Sequence, residues 1–521
     1  MLCSSVHALG QGPASAPGSA DTAGESSASD NADPGSERGD TAQPASPAPS
    51  GTGSPGTAGS PAAIGSATPP SAAQADPQPR HAVATDGSSS PPAPAGFAFG
   101  SYGRVRAASD LRGHGGESTN LVSFGTRFDL GNYAELELRR EDHPGELELR
   151  IVSTLGFQGD FFHYTGSFND QVGIRNLYAE VAGALVDGLS LWAGSRMVRG
   201  DDVYLLNFWP LDNLNLVGGG ATFSTGSIEL KLHGGLTRPS DPFYTQQDNA
   251  VPVQGFLPQP VLVLDRPRTI LAARATFWPF GSHAKNGVKL VAYGEGHHLP
   301  AGDRETAPDS GAYKHLPAMS GYVAGVELGG YLAAPQAFAN LFFRCARGIA
   351  AYDPLQTFGG LEPVPGNDAS DCRVALSANL ELGAVALQLG AYLREFRDPS
   401  ATATTGGKLE EGIVDARPYV WLGQRAGFAV DASYQALRTL AVNPSTGRLV
   451  GGAVGKFALI PFYSPYGRGT YTRPQLQLIY ALSLRNEDAQ RLYPDLDRRS
   501  SSRVEQFFAI GAEWWFNSTS Y

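Results

Sequence analysis

The chain has 521 residues, and its first 95 contain 65 Ala, Pro, Ser or Gly, 15 prolines and not one aromatic. All 51 aromatics fall in the remaining 426 residues, so the arm 1–95 cannot bury enough apolar surface to offset its ordering entropy. It reads as disordered, followed by one large folded unit at 96–521. The arm carries eight acids and two arginines, net −6 of the chain's −11, which leaves −5 for the folded part. With no clustered basic surface, nucleic acid is excluded as a partner.

The three cysteines form no CxxC pair, and no Cys/His group has zinc spacing, so no metal or other cofactor is expected. Cys345 and Cys372 flank a Gly/Pro/Asp-rich loop and either bridge its base or stand as two unpaired small side chains. No apolar run reaches the length of about 18 residues that a membrane helix needs. Met1 to Gly10 (MLCSSVHALG) has neither a charged n-region nor an apolar h-region. Either the chain is not exported, or its true start lies upstream.

From Phe97 onward the dominant signal is period two. Residues 133–138 read Tyr-Ala-Glu-Leu-Glu-Leu, 146–151 Glu-Leu-Glu-Leu-Arg-Ile, and 475–482 Gln-Leu-Gln-Leu-Ile-Tyr-Ala-Leu. Such alternation puts Ala134, Leu136 and Leu138 on one face of a strand and Tyr133, Glu135 and Glu137 on the other. Similar segments are predicted at 97–106, 119–128, 174–183, 188–197, 227–235, 268–278, 287–296, 319–331, 337–347, 372–382, 384–395, 416–424, 427–436, 453–460 and 504–516. That makes eighteen strands, and no segment carries a convincing helical stripe. The fold class is all-β.

Connections alternate between short turns, such as Gly131-Asn132 and Val186-Asp187-Gly188, and long polar stretches at 199–217, 236–266, 297–317, 349–371, 397–413 and 438–452. Asymmetric loops on antiparallel strands of about ten residues predict a transmembrane antiparallel β-barrel of the outer membrane with long extracellular loops. A mean hydropathy of −0.20 fits a wall with lipid outside and water inside. In the last strand Phe508, Ile510, Ala512, Trp514 and Phe516 share the face read as lipid-facing, with Phe516 at an aromatic rim. Phe507, Ala509, Gly511, Glu513 and Trp515 share the lumen face.

Several segments, in order along the folded part, resemble the maltoporins, the sugar-specific porins of the outer membrane. They are Phe99-Gly100-Ser101-Tyr102-Gly103-Arg104, Leu130-Gly131-Asn132-Tyr133-Ala134-Glu135-Leu136 and Ile174-Arg175-Asn176-Leu177-Tyr178. Then come Leu191-Trp192-Ala193-Gly194-Ser195-Arg196, Asp202-Val203, Asn207-Phe208-Trp209, Tyr471-Thr472-Arg473-Pro474 and the closing Gly511-Ala512-Glu513-Trp514-Trp515-Phe516. The Trp-Ala-Gly-x-Arg run followed by Asp-Val and Asn-Phe-Trp is the most specific of these; each other segment alone is weak.

The resemblance implies a barrel of eighteen strands, assembled as a homotrimer, with one loop folded into the lumen. It also implies facilitated diffusion of linear oligosaccharides of the maltose and maltodextrin type along an aromatic slide. A pyranose stacks its apolar face on a ring while side chains replace the water lost by its hydroxyls. Many weak sites, rather than one tight site, let the solute leave. By resemblance, Tyr102, Tyr133, Tyr471 and Trp515 stand at slide positions, with Phe168 nearest to the family's Trp on a loop that reaches a neighbouring subunit. Arg104, Glu135, Arg175 and Asp202 match the polar track, and Arg127 stands where the family has Lys.

The constriction departs from the family pattern. Gly200 replaces an Arg, with Arg199 adjacent as a substitute; Asn207 replaces an Asp, Trp209 a Tyr, and Asp129 an Arg. These changes bear on which sugar passes and on the channel's width.

Competing readings are weaker. Asp201-Asp202 and Glu410-Glu411 are sequence neighbours whose side chains diverge, and His163 and His297-His298 come with no nucleophile motif, so an enzyme is not expected. A soluble lectin or adhesin is a further alternative, and a general diffusion porin or a porin for another small solute is the closest rival. The arm is expected to face the periplasm and to contact periplasmic or cell-wall components as a flexible tether.

Overall fold

The computed structural model describes residues 95–519, apart from 160–170, 250–259, 283, 307–309, 334–335, 356–365, 401–406 and 443–446. The arm and Phe168 lie outside the described residues. Strands follow one another almost without interruption: β1 (Gly96–Ser109), β2 (Tyr133–Asp142), β3 (Glu148–Gln158), β4 (Gln171–Ala182), β5 (Leu189–Arg199), β6 (Asn213–Ser224) and β7 (Ile228–Thr237). After β8 (Thr245–Asn249) and β9 (Pro260–Asp265) come β10 (Arg268–Phe277), β11 (Asn286–Leu299), β12 (Gly302–Glu305), β13 (Tyr313–Leu316) and β14 (Met319–Leu332). The rest are β15 (Gln336–Gly348), β16 (Ser370–Leu382), β17 (Val385–Arg397), β18 (Lys408–Trp421), β19 (Ala426–Val442), β20 (Leu449–Tyr463), β21 (Gln475–Arg485) and β22 (Val504–Phe516).

Eighteen of these form a single sheet, and the pairs β8–β9 and β12–β13 are separate hairpins within long loops. Each barrel strand pairs antiparallel with the next, and β1 closes the ring on β22 with Tyr102 opposite Trp515 and Arg104 opposite Glu513. Closure leaves no edge, which is what lets a sheet sit in hydrocarbon where no water can satisfy a free amide.

Period two decides the faces. On the outside, Leu138, Val217, Leu328, Leu393 and Ile510 are each more than half exposed. Aromatics Phe97, Phe223, Phe277, Phe280, Tyr463 and Phe516 ring the short-turn end, where Phe99 and Phe516 lie 5.7 Å apart. Inside, the alternate residues are buried and largely polar, among them Glu135, Arg274, Asp415, Lys456 and Glu513. The alternation expected for 133–138 and 507–516 is what the structure has.

Two expectations about elements need correction. Residues 119–128 are no strand: they belong to the connection from β1 to β2, which folds inward. The backbone amides of Ser123 and Phe124 bond the Glu411 carboxylate (2.8 Å) and the Tyr392 hydroxyl (3.1 Å) on the wall. Their alternating pattern reflects a loop held between wall and lumen. The missing eighteenth strand is β6, placed by sequence inside a long loop. Its Gly218-Gly219-Gly220 run offers no side chains from which to read a period. Cys345 and Cys372 are cross-strand partners on β15 and β16 and are joined as a disulfide.

The inward connection 110–132 is anchored by charge. Lys456 on β20 places its ammonium on Asp129, and the same nitrogen reaches Asn120 Oδ1 (2.6 Å) and Thr126 Oγ1 (3.1 Å). Burial alone would raise the Asp129 carboxyl, but Lys456 holds it below the usual range. Substitution Lys456→Met should therefore strand a buried carboxylate at a cost of about 3–5 kcal/mol. The checks are a lower temperature for the heat-induced gel shift and faster proteolytic cleavage within 110–132.

Candidate functional site

Two loops meet in the lumen. The first, 200–212, is apolar in the middle, and its turn Tyr204–Leu206 ends at Asn207 in the left-handed region (φ 51°), a conformation Asn accepts more readily than most residues. The Val203 amide bonds the Phe208 carbonyl at 2.7 Å and closes the tip, and Val203, Leu205 and Phe208 are buried. Arg274 on β10 holds both feet, with Asp201 at 2.9 Å and Asp212 at 2.9 Å. From the second loop, Phe124 stacks on Phe208 at 4.0 Å. The lumen is thus narrowed from two sides.

Around this contact lies a charged centre. Arg127, from the second loop, donates to Glu513 at 2.7 Å, to the Tyr102 hydroxyl at 2.6 Å and to Asn207 Oδ1 at 2.5 Å. Its guanidinium sits 4.5 Å from the Tyr204 ring. Tyr204 donates to the other Glu513 oxygen at 2.9 Å, and Arg473 pairs with that same oxygen at 2.9 Å. One buried carboxylate therefore joins both inward loops, β22 and the connection before β21. Arg104 adds a 3.4 Å contact to the Tyr102 hydroxyl and bonds the Gly131 carbonyl at 3.1 Å.

The four predicted aromatics within the described residues lie around this centre. Tyr133 and Tyr102 have ring centroids 5.8 Å apart. On the other side of Arg127, Tyr204 lies 5.1 Å from Tyr471 and 6.2 Å from Trp515, both edge-on. Arg473 covers Trp515 at 4.3 Å. Near Tyr133, Arg175 pairs with Glu135 and bonds the Tyr133 hydroxyl, and its Nε reaches Met197 Sδ at 3.1 Å.

Arg199, expected as the constriction substitute, stacks on Trp209 at 3.6 Å and bonds Asn213 at 2.7 Å. Trp209 is accordingly held as a platform under a guanidinium. Asp201 serves Arg274 and Lys289, while Asp202 is half-buried and feels the charge of Arg127. Phe168 lies outside the described residues.

Sequence reasoning missed Tyr204, Arg473 and Glu513 as participants. Arg473 and Glu513 stood inside quoted motifs, and Glu513 had already fallen on the lumen face by parity. Tyr204 directly follows Asp202-Val203, but nothing local marks it as the residue that touches both arginines. Rings edged by ionisable donors and acceptors suit a neutral polyhydroxylated solute, which stacks and exchanges hydrogen bonds at once. Among the described residues no group of three or more His, Cys, Asp or Glu is placed to hold a metal ion.

A family model described as LamB porin matches residues 97–516. No curated protein matches the chain. Similar solved structures include in-vitro folded OmpT of Vibrio cholerae in its trimer form, 10% identical with TM-score 0.38 over 81% of this chain and 99% of that one. OccD3 (OpdP) of Pseudomonas aeruginosa is 9% identical with TM-score 0.39, covering 81% and 91%. OccAB1 of Acinetobacter baumannii is 9% identical with TM-score 0.41, covering 81% and 96%.

Asp202 gives the site a pH handle. Burial pushes its carboxyl up to about 6 against the opposing pull of Arg127. The group is charged above that value and neutral below it, so acidification removes one negative charge from the narrow region. Cation preference, read as reversal potential in a salt gradient, should fall as pH drops through about 6. Asp202→Asn should show the acidic value throughout; a wild-type titration in the variant would assign the change elsewhere.

Proposed function

This chain belongs to the LamB porin family, and on that premise we propose that it carries out facilitated diffusion of carbohydrates, linear oligosaccharides above all, across the bacterial outer membrane. The single observation that carries the reading is the continuity of rings and charges at the narrowing. Tyr133 lies against Tyr102, Arg127 stands over both Tyr102 and Tyr204, and Tyr204 touches Tyr471 and Trp515, with Arg473, Glu513, Glu135 and Arg175 at their edges. A sugar ring slides from one aromatic face to the next while its hydroxyls exchange partners, so no single site holds it tightly. The polar track of the reading is Arg104, Arg127, Glu135, Arg175 and Asp202, with Asn207 bonded to Arg127 at 2.5 Å as its constriction member. The homotrimer follows from the maltoporin resemblance, and on the same ground Phe168 is carried as the slide residue nearest to the family's Trp on the loop that reaches a neighbouring subunit.

The test is single-channel conductance in a planar bilayer with maltose, maltotriose and sucrose. Closures in triplets with block that tightens as the glucan lengthens support the reading. Conductance without sugar block would make the protein a general diffusion porin. Trp515→Ala should weaken maltotriose block several-fold, since an aromatic stacking contact contributes about 1 kcal/mol.

The arm 1–95 is proposed as a periplasmic tether to cell-wall components. Its deletion should leave trimer and conductance unchanged, measured by unheated gel mobility and the same bilayer assay. Loss of folding would give the arm a structural role.

A further inference from the structure

Strand register gathers a set of charges on the outer face of the barrel at its long-loop end. Phe343 on β15, Val374 on β16 and Leu393 on β17 are exposed and form an apolar row across neighbouring strands. Two residues nearer the long loops, Cys345, Cys372, Glu395, Glu410 and Arg438 make the next row, from β15 to β19. Two residues further on come Arg347, Ser370, Arg397 and Lys408. Arg397 Nε donates to Glu395 at 2.6 Å, Arg438 Nε donates to Glu410 at 2.9 Å, and the Lys408 ammonium reaches both carboxylates. Arg347 is exposed and pairs with none of the described residues. Four cations thus face two carboxylates, and exposed pairs of this kind are weak enough to exchange for another anion.

The wall beside these charges is grooved. From Leu393 the apolar row continues through Gly412, which has no side chain, to Ala436. A groove of about 500 Å³ opens there, bounded by Phe343, Val374, Leu393, Glu410 and Arg438. A charge on the lipid face is costly at the bilayer midplane and nearly free at the interface. The charged rows therefore mark where hydrocarbon gives way to headgroups, about 7 Å from the apolar row. Arg347 and Arg438 stand four strands apart, about 19 Å across the sheet.

From this geometry we infer a lipid-binding site on the outer wall, at Arg347, Arg397, Lys408 and Arg438, for a phosphorylated glycolipid of the outer leaflet. Its phosphates pair with the cations and one acyl chain lies in the groove. The surplus of positive charge calls for an anion, and guanidinium groups match phosphate oxygens in pairs. The groove, one row away, calls for a hydrocarbon tail on the same molecule, which a free anion lacks. One phosphate cannot serve cations spread over four strands, so the occupant carries two on a broad headgroup. Glu395 and Glu410 hold the cations apart and in register until the lipid arrives. The site faces away from the lumen and does not depend on which solute the channel carries.

The experiment titrates the detergent-solubilised full chain with diphosphoryl lipid A, monophosphoryl lipid A, phosphatidylglycerol and inorganic phosphate, and reads bound adducts by native mass spectrometry. Diphosphoryl lipid A should bind tightest. Arg347→Gln and Arg438→Gln should each weaken it about five-fold, and the double variant by the product of the two. Arg140→Gln, on the outer face at the short-turn end, should bind as wild type does. Arg347→Gln breaks no ion pair among the described residues, so it carries the test alone if the double variant does not fold. Equal binding by wild type and Arg347→Gln overturns the proposal. Phosphatidylglycerol binding as tightly as diphosphoryl lipid A overturns the two-phosphate occupant, and inorganic phosphate doing so makes this a free-anion site and overturns the lipid. A double variant that keeps its lipid but runs as a smaller oligomer on an unheated gel makes this face a contact between copies of the chain, which overturns the proposal too.

Discussion

The whole molecule depends on one constraint: in hydrocarbon no backbone amide or carbonyl can be left to solvent. Closing β22 onto β1 satisfies every ladder, and a closed ladder fixes parity around the ring. Once Tyr102 faces inward, so do Arg104 on the same strand and Trp515 and Glu513 opposite them. The channel's chemistry is therefore not assembled residue by residue. It is the even or odd half of each strand, displayed on one side of a wall whose other half must be apolar.

That half is unusually rich in charge, and the charges come in compensated sets. Glu513 lies between Arg127 and Arg473; Asp201 and Asp212 flank Arg274; Arg394 lies between Asp371 (2.9 Å) and Glu411 (3.1 Å). Removing a charge from water costs several kcal/mol unless a partner stands close, so an interior filled with ionisable groups folds only if they pair. The pairing also has a functional side. A lumen of matched pairs offers donors and acceptors everywhere without a strong field of one sign, which suits a neutral polar solute better than an ion.

The inward loops use the same currency differently. Loop 200–212 is pinned at its feet by ions and at its tip by apolar contact with a glycine-bared wall. Loop 110–132 is tied by Lys456 at Asn120, Thr126 and Asp129, and between these points Phe124 packs on Phe208. Glu513 links the two, so a change at one loop is felt by the other through a single carboxylate.

Period two, turn chemistry and loop asymmetry were enough to read an outer-membrane barrel and to sort Tyr133, Glu135, Glu513 and Trp515 onto the lumen face. These are local properties: each strand announces its faces in its own side chains, because the pleat alternates whatever the neighbours do. Where side chains were absent, at Gly218-Gly219-Gly220, the strand went unseen; where an inward loop met a wall, at 119–128, alternation was mistaken for a strand. Only the closed structure decided that Tyr204, Arg127 and Arg473 converge on Glu513, and that Arg199 stacks on Trp209. Tyr204 and Arg127 stand 309 and 386 positions from Glu513, and these contacts exist because ring closure and the two inward loops bring distant segments within hydrogen-bond reach, a distance that no local pattern encodes.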